Sequence, residues 1–121
     1  MTKNLDSEGL QSIAHNYDLF YIDLWGVVHN GVELHDEAIF TLKKLLELKK
    51  KFVLLTNAPR PIDTVKVILE KMGMDENLRN HVFTSGEASL SYLSKEHNSQ
   101  KFYHVGPPRD FDLFEDFKNY K

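Results

Sequence analysis

Short apolar runs alternate with segments of helical spacing along this chain, and that alternation restricts the fold more than any other feature. The first run is Leu19-Phe20-Tyr21-Ile22, a strand over about Leu19 to Leu24, and Phe52-Val53-Leu54-Leu55 leads a second over 52–56. Between them, Ala38, Ile39, Leu42, Leu45, Leu46 and Lys49 follow helical spacing behind Asp36-Glu37, with acids at the start and lysines at the end to complement the helix dipole. Pro61 then stands at a first helical position ahead of Ile62, Val65, Ile68, Leu69 and Met72, and Gly73 closes the turn. His81-Val82-Phe83-Thr84 reads as a third strand, with Ser85 placed to cap a helix through Ala88, Leu90, Tyr92 and Leu93. Lys101-Phe102-Tyr103-His104-Val105 reads as a fourth, closed by Gly106-Pro107-Pro108. This pitch predicts an α/β domain of parallel strands with right-handed crossovers.

The flanking segments predict three smaller elements. Leu5, Leu10, Ile13 and Ala14 suggest a short entry helix within 5–17. Asn30-Gly31 between Val27-Val28 and Val32-Glu33-Leu34 carries the turn chemistry of a hairpin, a flap over about 26–35 beside Asp23. Phe111, Leu113, Phe114, Phe117 and Tyr120 predict a closing amphipathic helix.

Bulk composition excludes several classes. The 121 residues, 41% hydrophobic and 27% charged, suit one soluble domain that buries roughly two-thirds of its unfolded surface. No cysteine is present, which excludes disulfides, thiolate catalysis and cysteine-based zinc sites. A net charge of −3 with dispersed basic residues argues against nucleic acid as a partner. No apolar run approaches the roughly 20 residues that span a bilayer, and the N-terminus has no signal-like apolar core, so no membrane association and a cytoplasmic location are expected. The six histidines show no compact metal-ligand spacing.

The strand ends carry the chemistry. Asp23, Thr56-Asn57 and Thr84-Ser85 end three successive strands, and in a parallel sheet those ends lie at one edge, where open α/β sheets bind ligands. An acid, hydroxyls and helix-start amides converging there suit phosphoryl transfer, in which a carboxylate attacks phosphorus and the donors hold the non-bridging oxygens. Caps and turns are the plainer use of the same residues.

Four ordered segments carry a family resemblance. Tyr21-Ile22-Asp23-Leu24-Trp25-Gly26-Val27-Val28-His29-Asn30-Gly31 resembles the first motif of the haloacid dehalogenase superfamily, and Leu54-Leu55-Thr56-Asn57-Ala58-Pro59-Arg60-Pro61 is similar to its second. Thr84-Ser85-Gly86-Glu87-Ala88-Ser89 resembles a signature of the class IIA sugar-phosphatase-like branch, and Val105-Gly106-Pro107-Pro108-Arg109-Asp110 fits the strand end that follows. The resemblance implies a Rossmann-like three-layer sandwich around a parallel sheet. Residues 1–121 would be one partial core domain, ending before the cap and the last core strands. It makes Asp23 the nucleophile and a ligand of Mg²⁺, the main-chain carbonyl of Trp25 a second metal ligand, and Thr56 and Asn57 the phosphoryl binders. The implied activity is a Mg²⁺-dependent phosphatase of small phosphorylated metabolites through an aspartyl-phosphate.

Departures from the pattern keep other readings open. The superfamily's phosphatases carry a second aspartate two residues after the nucleophile, where this chain has Trp25. Indole cannot relay a proton at neutral pH, and losing general acid/base help costs about 10²–10⁴ in rate. The dehalogenases tolerate an aromatic there, so attack on carbon is an alternative. His29 could carry protons instead, although a solvated flap histidine is the plainer reading. Arg60 could steer an anion or stand exposed, Glu87 favours its own helix dipole, and Asp110, Asp112, Glu115 and Asp116 read as a solvated face. The downstream lysine and acidic motifs of the superfamily are not matched. A further alternative is therefore an incomplete half-domain that binds phosphate or self-assembles. Strand 19–24 would then be an open sheet edge, which predicts either a homodimer through it or a chain cut from a longer parent.

Overall fold

In the computed structural model, which describes residues 5–115 and 117, the predicted α/β alternation holds. Strand β1 (Leu19–Asp23), helix α1 (Asp36–Glu47), strand β2 (Lys51–Thr56), helix α2 (Ile62–Lys71), short helix α3 (Glu76–Arg79), strand β3 (Val82–Thr84) and helix α4 (Ser85–Glu96) follow in order. The sheet has order β1-β2-β3 and is parallel throughout, with Asp23 opposite Leu55, Leu55 opposite Phe83, and Thr56 opposite Thr84. All three C-terminal ends therefore reach one rim.

Side-chain alternation divides the sheet into two unlike faces. Phe52, Leu54 and Val82 point into a core built with Leu42 and Leu45 of α1, Val65 and Leu69 of α2, and Leu78 of α3. Leu19, Tyr21, Leu55 and Phe83 lie on the other face and stay 40–70% exposed. β1 is an edge strand, as predicted.

Helix ends show why the boundaries fall where they do. After α2, the Gly73 amide bonds the Glu70 carbonyl and the Met74 amide the Leu69 carbonyl, a Schellman closure with Gly73 at φ +90°. The end of α1 repeats the closure, Lys49 to Leu46 and Lys50 to Leu45, with Lys49 itself at φ +55°. The predicted helical Lys49 is thus the residue that terminates α1.

Several smaller expectations are corrected. The entry segment forms two 3₁₀ turns, Leu10–Ser12 and Ala14–Asn16, with Ala14 as their one buried residue, too little apolar area to fix a full helix. Residues 101–105 make no fourth strand: Tyr103 and Val105 are exposed, while Phe102 packs edge-on against Phe114 and Phe117 at 5.5 and 5.4 Å. That aromatic cluster replaces a ladder as the destination of the segment's apolar side chains. The closing segment is a 3₁₀ helix, Pro108–Phe114, with Leu113 and Phe114 buried; the side chains of Phe111 and Asp112, and residues 116 and 118–121, lie outside the described residues. Among the described residues no helix is long and apolar enough to cross a membrane.

Candidate active site

Asp23 ends β1 with its side chain exposed, and its Oδ1 accepts the Leu24 amide at 2.9 Å. One oxygen is thereby anchored to the backbone, so the carboxylate stands at the rim in a defined pose. Thr56 ends β2 at 9% exposure, and its Oγ1 accepts the Ala58 amide at 3.2 Å. That bond uses a lone pair and leaves the hydroxyl proton to be donated elsewhere. Asn57 is exposed beside it.

Asp23, Thr56 and Asn57 line one cavity of about 550 Å³, together with Tyr21, Leu55 and Phe83 from the open sheet face and Thr84, Ser85 and Ala88 from the β3–α4 junction. By register, Asp23 emerges on the side of Leu55 and Thr56 on the side of Thr84, so the two approach the cavity from opposite sides of the rim. A second hollow of about 380 Å³ continues from Thr56 and Asn57 to Trp25, His29 and Arg60.

The flap is a compact turn rather than a two-stranded hairpin. Leu24 O accepts from the amides of Val28 and His29, single bridges join Trp25 to His29 and His29 to Leu34, and the Asn30 side chain accepts from the amides of Val32 and Glu33 at 2.9 Å each. The Trp25 ring, 64% exposed, lies over Gly31, where an added Cβ would meet it at 2.4 Å. At φ +93°, Gly31 supplies both the left-handed turn and the room for the indole.

His29 is not a solvated flap residue. It is 8% exposed, stands edge-on to Trp25 at 5.5 Å, and its Nδ1 accepts the Gly31 amide at 3.0 Å, which requires an unprotonated Nδ1. Burial lowers its pKa, His35 adds to the lowering, and the Asp23 carboxylate opposes both. Because the folded value lies below the unfolded one, the stabilisation from neutral His29 is complete above about pH 6.5 and is lost as pH falls toward the lowered folded value. Urea titrations between pH 7.5 and 5 are expected to show a steeper acid loss of stability for the parent than for His29→Gln; parallel curves would remove His29 as the cause.

Three further sequence readings change. Asp110 is not solvated: its side chain is 13% exposed, 3.9 Å from the Arg60 guanidinium and 4.0 Å from that of Arg109. Arg60, at 27% exposure, faces this acid. Ser85 is the first residue of α4 and not its cap; Thr84 is the cap, accepting the Glu87 amide at 2.9 Å. The Thr84 and Ser85 hydroxyls donate to the carbonyls of Arg60 and Ala58, so they hold backbone rather than face the cavity as free donors.

Comparison with known proteins bears on the family and the fold. The family model of haloacid dehalogenase-like hydrolases matches residues 20–118. The chain belongs to that family. Among solved structures, a haloacid dehalogenase-like hydrolase from Brucella suis 1330 is 29% identical at a TM-score of 0.78, over 89% of this chain and 39% of its own. A 4-nitrophenylphosphatase from Thermotoga maritima is 25% identical at 0.70, over 87% and 40%. A glycerol phosphate phosphatase from Mycobacterium tuberculosis, solved in complex with magnesium, shares the fold at 22% identity and 0.62, over 90% and 32%. No curated protein matches. This haloacid dehalogenase-like chain thus spans about 40% or less of the length of those structures.

Among the described residues no group of three or more His, Asp or Glu side chains is placed to hold a metal. Asp23 and the Trp25 carbonyl are oxygen donors, and Mg²⁺ is commonly held by one or two protein oxygens, with waters and substrate phosphate filling the remaining positions. Two oxygens of this kind would suit that mode and not a closed protein cage, although Asp23 and Trp25 line separate hollows.

Proposed function

We propose that this haloacid dehalogenase-like chain carries the nucleophile and the phosphoryl-binding loop of a Mg²⁺-dependent phosphatase acting on small phosphorylated metabolites of the sugar-phosphate type. One observation carries the reading: the Asp23 carboxylate and the Thr56 hydroxyl end adjacent parallel strands and line a single cavity. The free oxygen of Asp23 attacks phosphorus, an acyl-phosphate bond forms, and the phosphorus–oxygen bond to the substrate alcohol breaks. Thr56 donates its hydroxyl proton, and Asn57 an amide proton, to the non-bridging oxygens. Water then cleaves the acyl phosphate, returning the carboxylate and releasing inorganic phosphate. Mg²⁺ at Asp23 and the Trp25 carbonyl would offset the repulsion between carboxylate and phosphate.

Trp25 supplies no proton, so the departing alkoxide takes one from water. Esters whose leaving group needs no protonation are accordingly the most reactive substrates. A screen of phosphate esters with Mg²⁺, including 4-nitrophenyl phosphate beside sugar phosphates, tests the reading with Asp23→Asn as its control.

A second reading, binding without turnover and self-association, is favoured by the open face of the sheet. β1 contains neither proline nor lysine, the residues that commonly protect an edge, and its Tyr21 is 70% exposed. Two copies pairing β1 edges antiparallel about Tyr21 would close that edge by a two-fold axis. Light scattering is expected to give a dimer that Tyr21→Lys dissociates; a monomer at all concentrations removes this reading.

A further inference from the structure

We infer that the first turn of α4 is a positioning clamp for the loop that follows Thr56, with Thr84 as its central positioning residue. Residues 57–61 join β2 to α2 without regular secondary structure, with Asn57 and Pro59 exposed and the other three half-buried, and fixing such a connection costs conformational entropy. In this fold its backbone is tied to an element more than twenty residues away. Ala58 O accepts both the Gly86 amide and the Ser85 hydroxyl at 3.1 Å. Arg60 O accepts the Thr84 hydroxyl at 2.6 Å, and the Ile62 amide donates to the Glu87 carboxylate at 3.4 Å.

Thr84 has no exposed surface, and its one hydroxyl acts twice, donating to Arg60 O and accepting from the Glu87 amide that starts α4. Gly86 lets the two backbones touch: a Cβ there would lie 2.3–2.6 Å from the main-chain atoms of Arg60. The Gly86 and Glu87 amides are consumed by this clamp, so they are not spare donors for an anion. Glu87 correspondingly serves the start of α2, through Ile62, and not only its own helix.

The loop so held begins at Thr56 and Asn57, and donors must be fixed to within about 0.5 Å to hold a reacting group. The clamp's effect on anion binding rests on the phosphoryl-binding role proposed above. Its effect on loop order does not.

The test compares the parent chain with Thr84→Val, which keeps the side-chain shape and deletes both hydrogen bonds, and with Thr84→Ser, which retains them. Amide hydrogen exchange is read at Ala58 and Ile62 against the core amide of Leu54, and inorganic phosphate with Mg²⁺ is titrated by NMR. In Thr84→Val the loop amides are expected to exchange about tenfold faster relative to Leu54, and phosphate to bind about tenfold more weakly, the scale of one lost hydrogen bond. Thr84→Ser is expected to stay within about twofold on both. Loop and core amides accelerating together, or a loop unchanged in Thr84→Val, overturns the clamp. If Thr84→Val does not fold, Glu87→Met, which keeps the side-chain length and removes the acceptor, provides the same reading at the partly buried Ile62 tie, with selective acceleration there supporting the clamp and none opposing it. A parent chain that neither binds phosphate nor turns over an ester defeats the phosphatase reading, while the exchange comparison still decides the clamp.

Discussion

Asp23→Asn is expected to lower phosphate-ester turnover by about 10⁴-fold or more, the scale on which removing a nucleophile acts, while changing folding stability by less than about 0.5 kcal/mol. The two halves of that expectation come from the same geometry. The side chain is exposed, and its structural contact, Oδ1 with the Leu24 amide, can be kept by the amide oxygen of asparagine. What asparagine lacks is the anionic oxygen that bonds to phosphorus. Turnover that survives the change displaces Asp23 from the nucleophile role. Equal and negligible rates in parent and variant instead favour the half-domain reading, because Trp25 offers no proton to the leaving group.

The parallel order, the three strands and the two crossover helices were legible because each rests on local periodicity. Gly73 likewise announced the end of α2, since a left-handed residue is expected to be glycine. Lys49 hid the matching end of α1, because lysines near a helix C-terminus look like part of the last turn. Residues 101–105 carry the apolar alternation of a strand but spend it on Phe114, which periodicity cannot distinguish from a ladder. His29 was misread because its burial follows from the Trp25 ring and the turn around it. Asp23, Thr56 and Asn57 could be placed at one rim from topology alone. The work of Thr84, Gly86 and Glu87 could not, since their partners stand in a loop about 25 residues earlier and only tertiary structure joins them. A glycine inside a predicted helix was the one available signal, for such a residue costs about 1 kcal/mol of helix propensity against alanine and asks for a packing reason.

Leu54→Ala is expected to cost about 2–5 kcal/mol, a large share of the roughly 5–15 kcal/mol that holds a domain folded. Leu54 is fully buried in the central strand, opposite Ile22 on β1 and Val82 on β3, so the cavity left by its truncation borders all three strands. The urea midpoint should fall with little change in the slope. Leu55→Ala, one residue on and 43% exposed, is the informative partner: it lies on the open face, so its loss should stay below about 1 kcal/mol in dilute solution. A Leu55→Ala cost that rises with protein concentration would instead mean that a second copy covers that face in the parent, since association stabilises the folded state by mass action. The pair of neighbours therefore separates core packing from self-association, which a single core substitution cannot do. It also bears on the site: Leu54 and Leu55 lead directly into Thr56, so phosphate affinity should follow the folded fraction in Leu54→Ala, whereas Leu55→Ala can alter affinity directly by reshaping the cavity it lines.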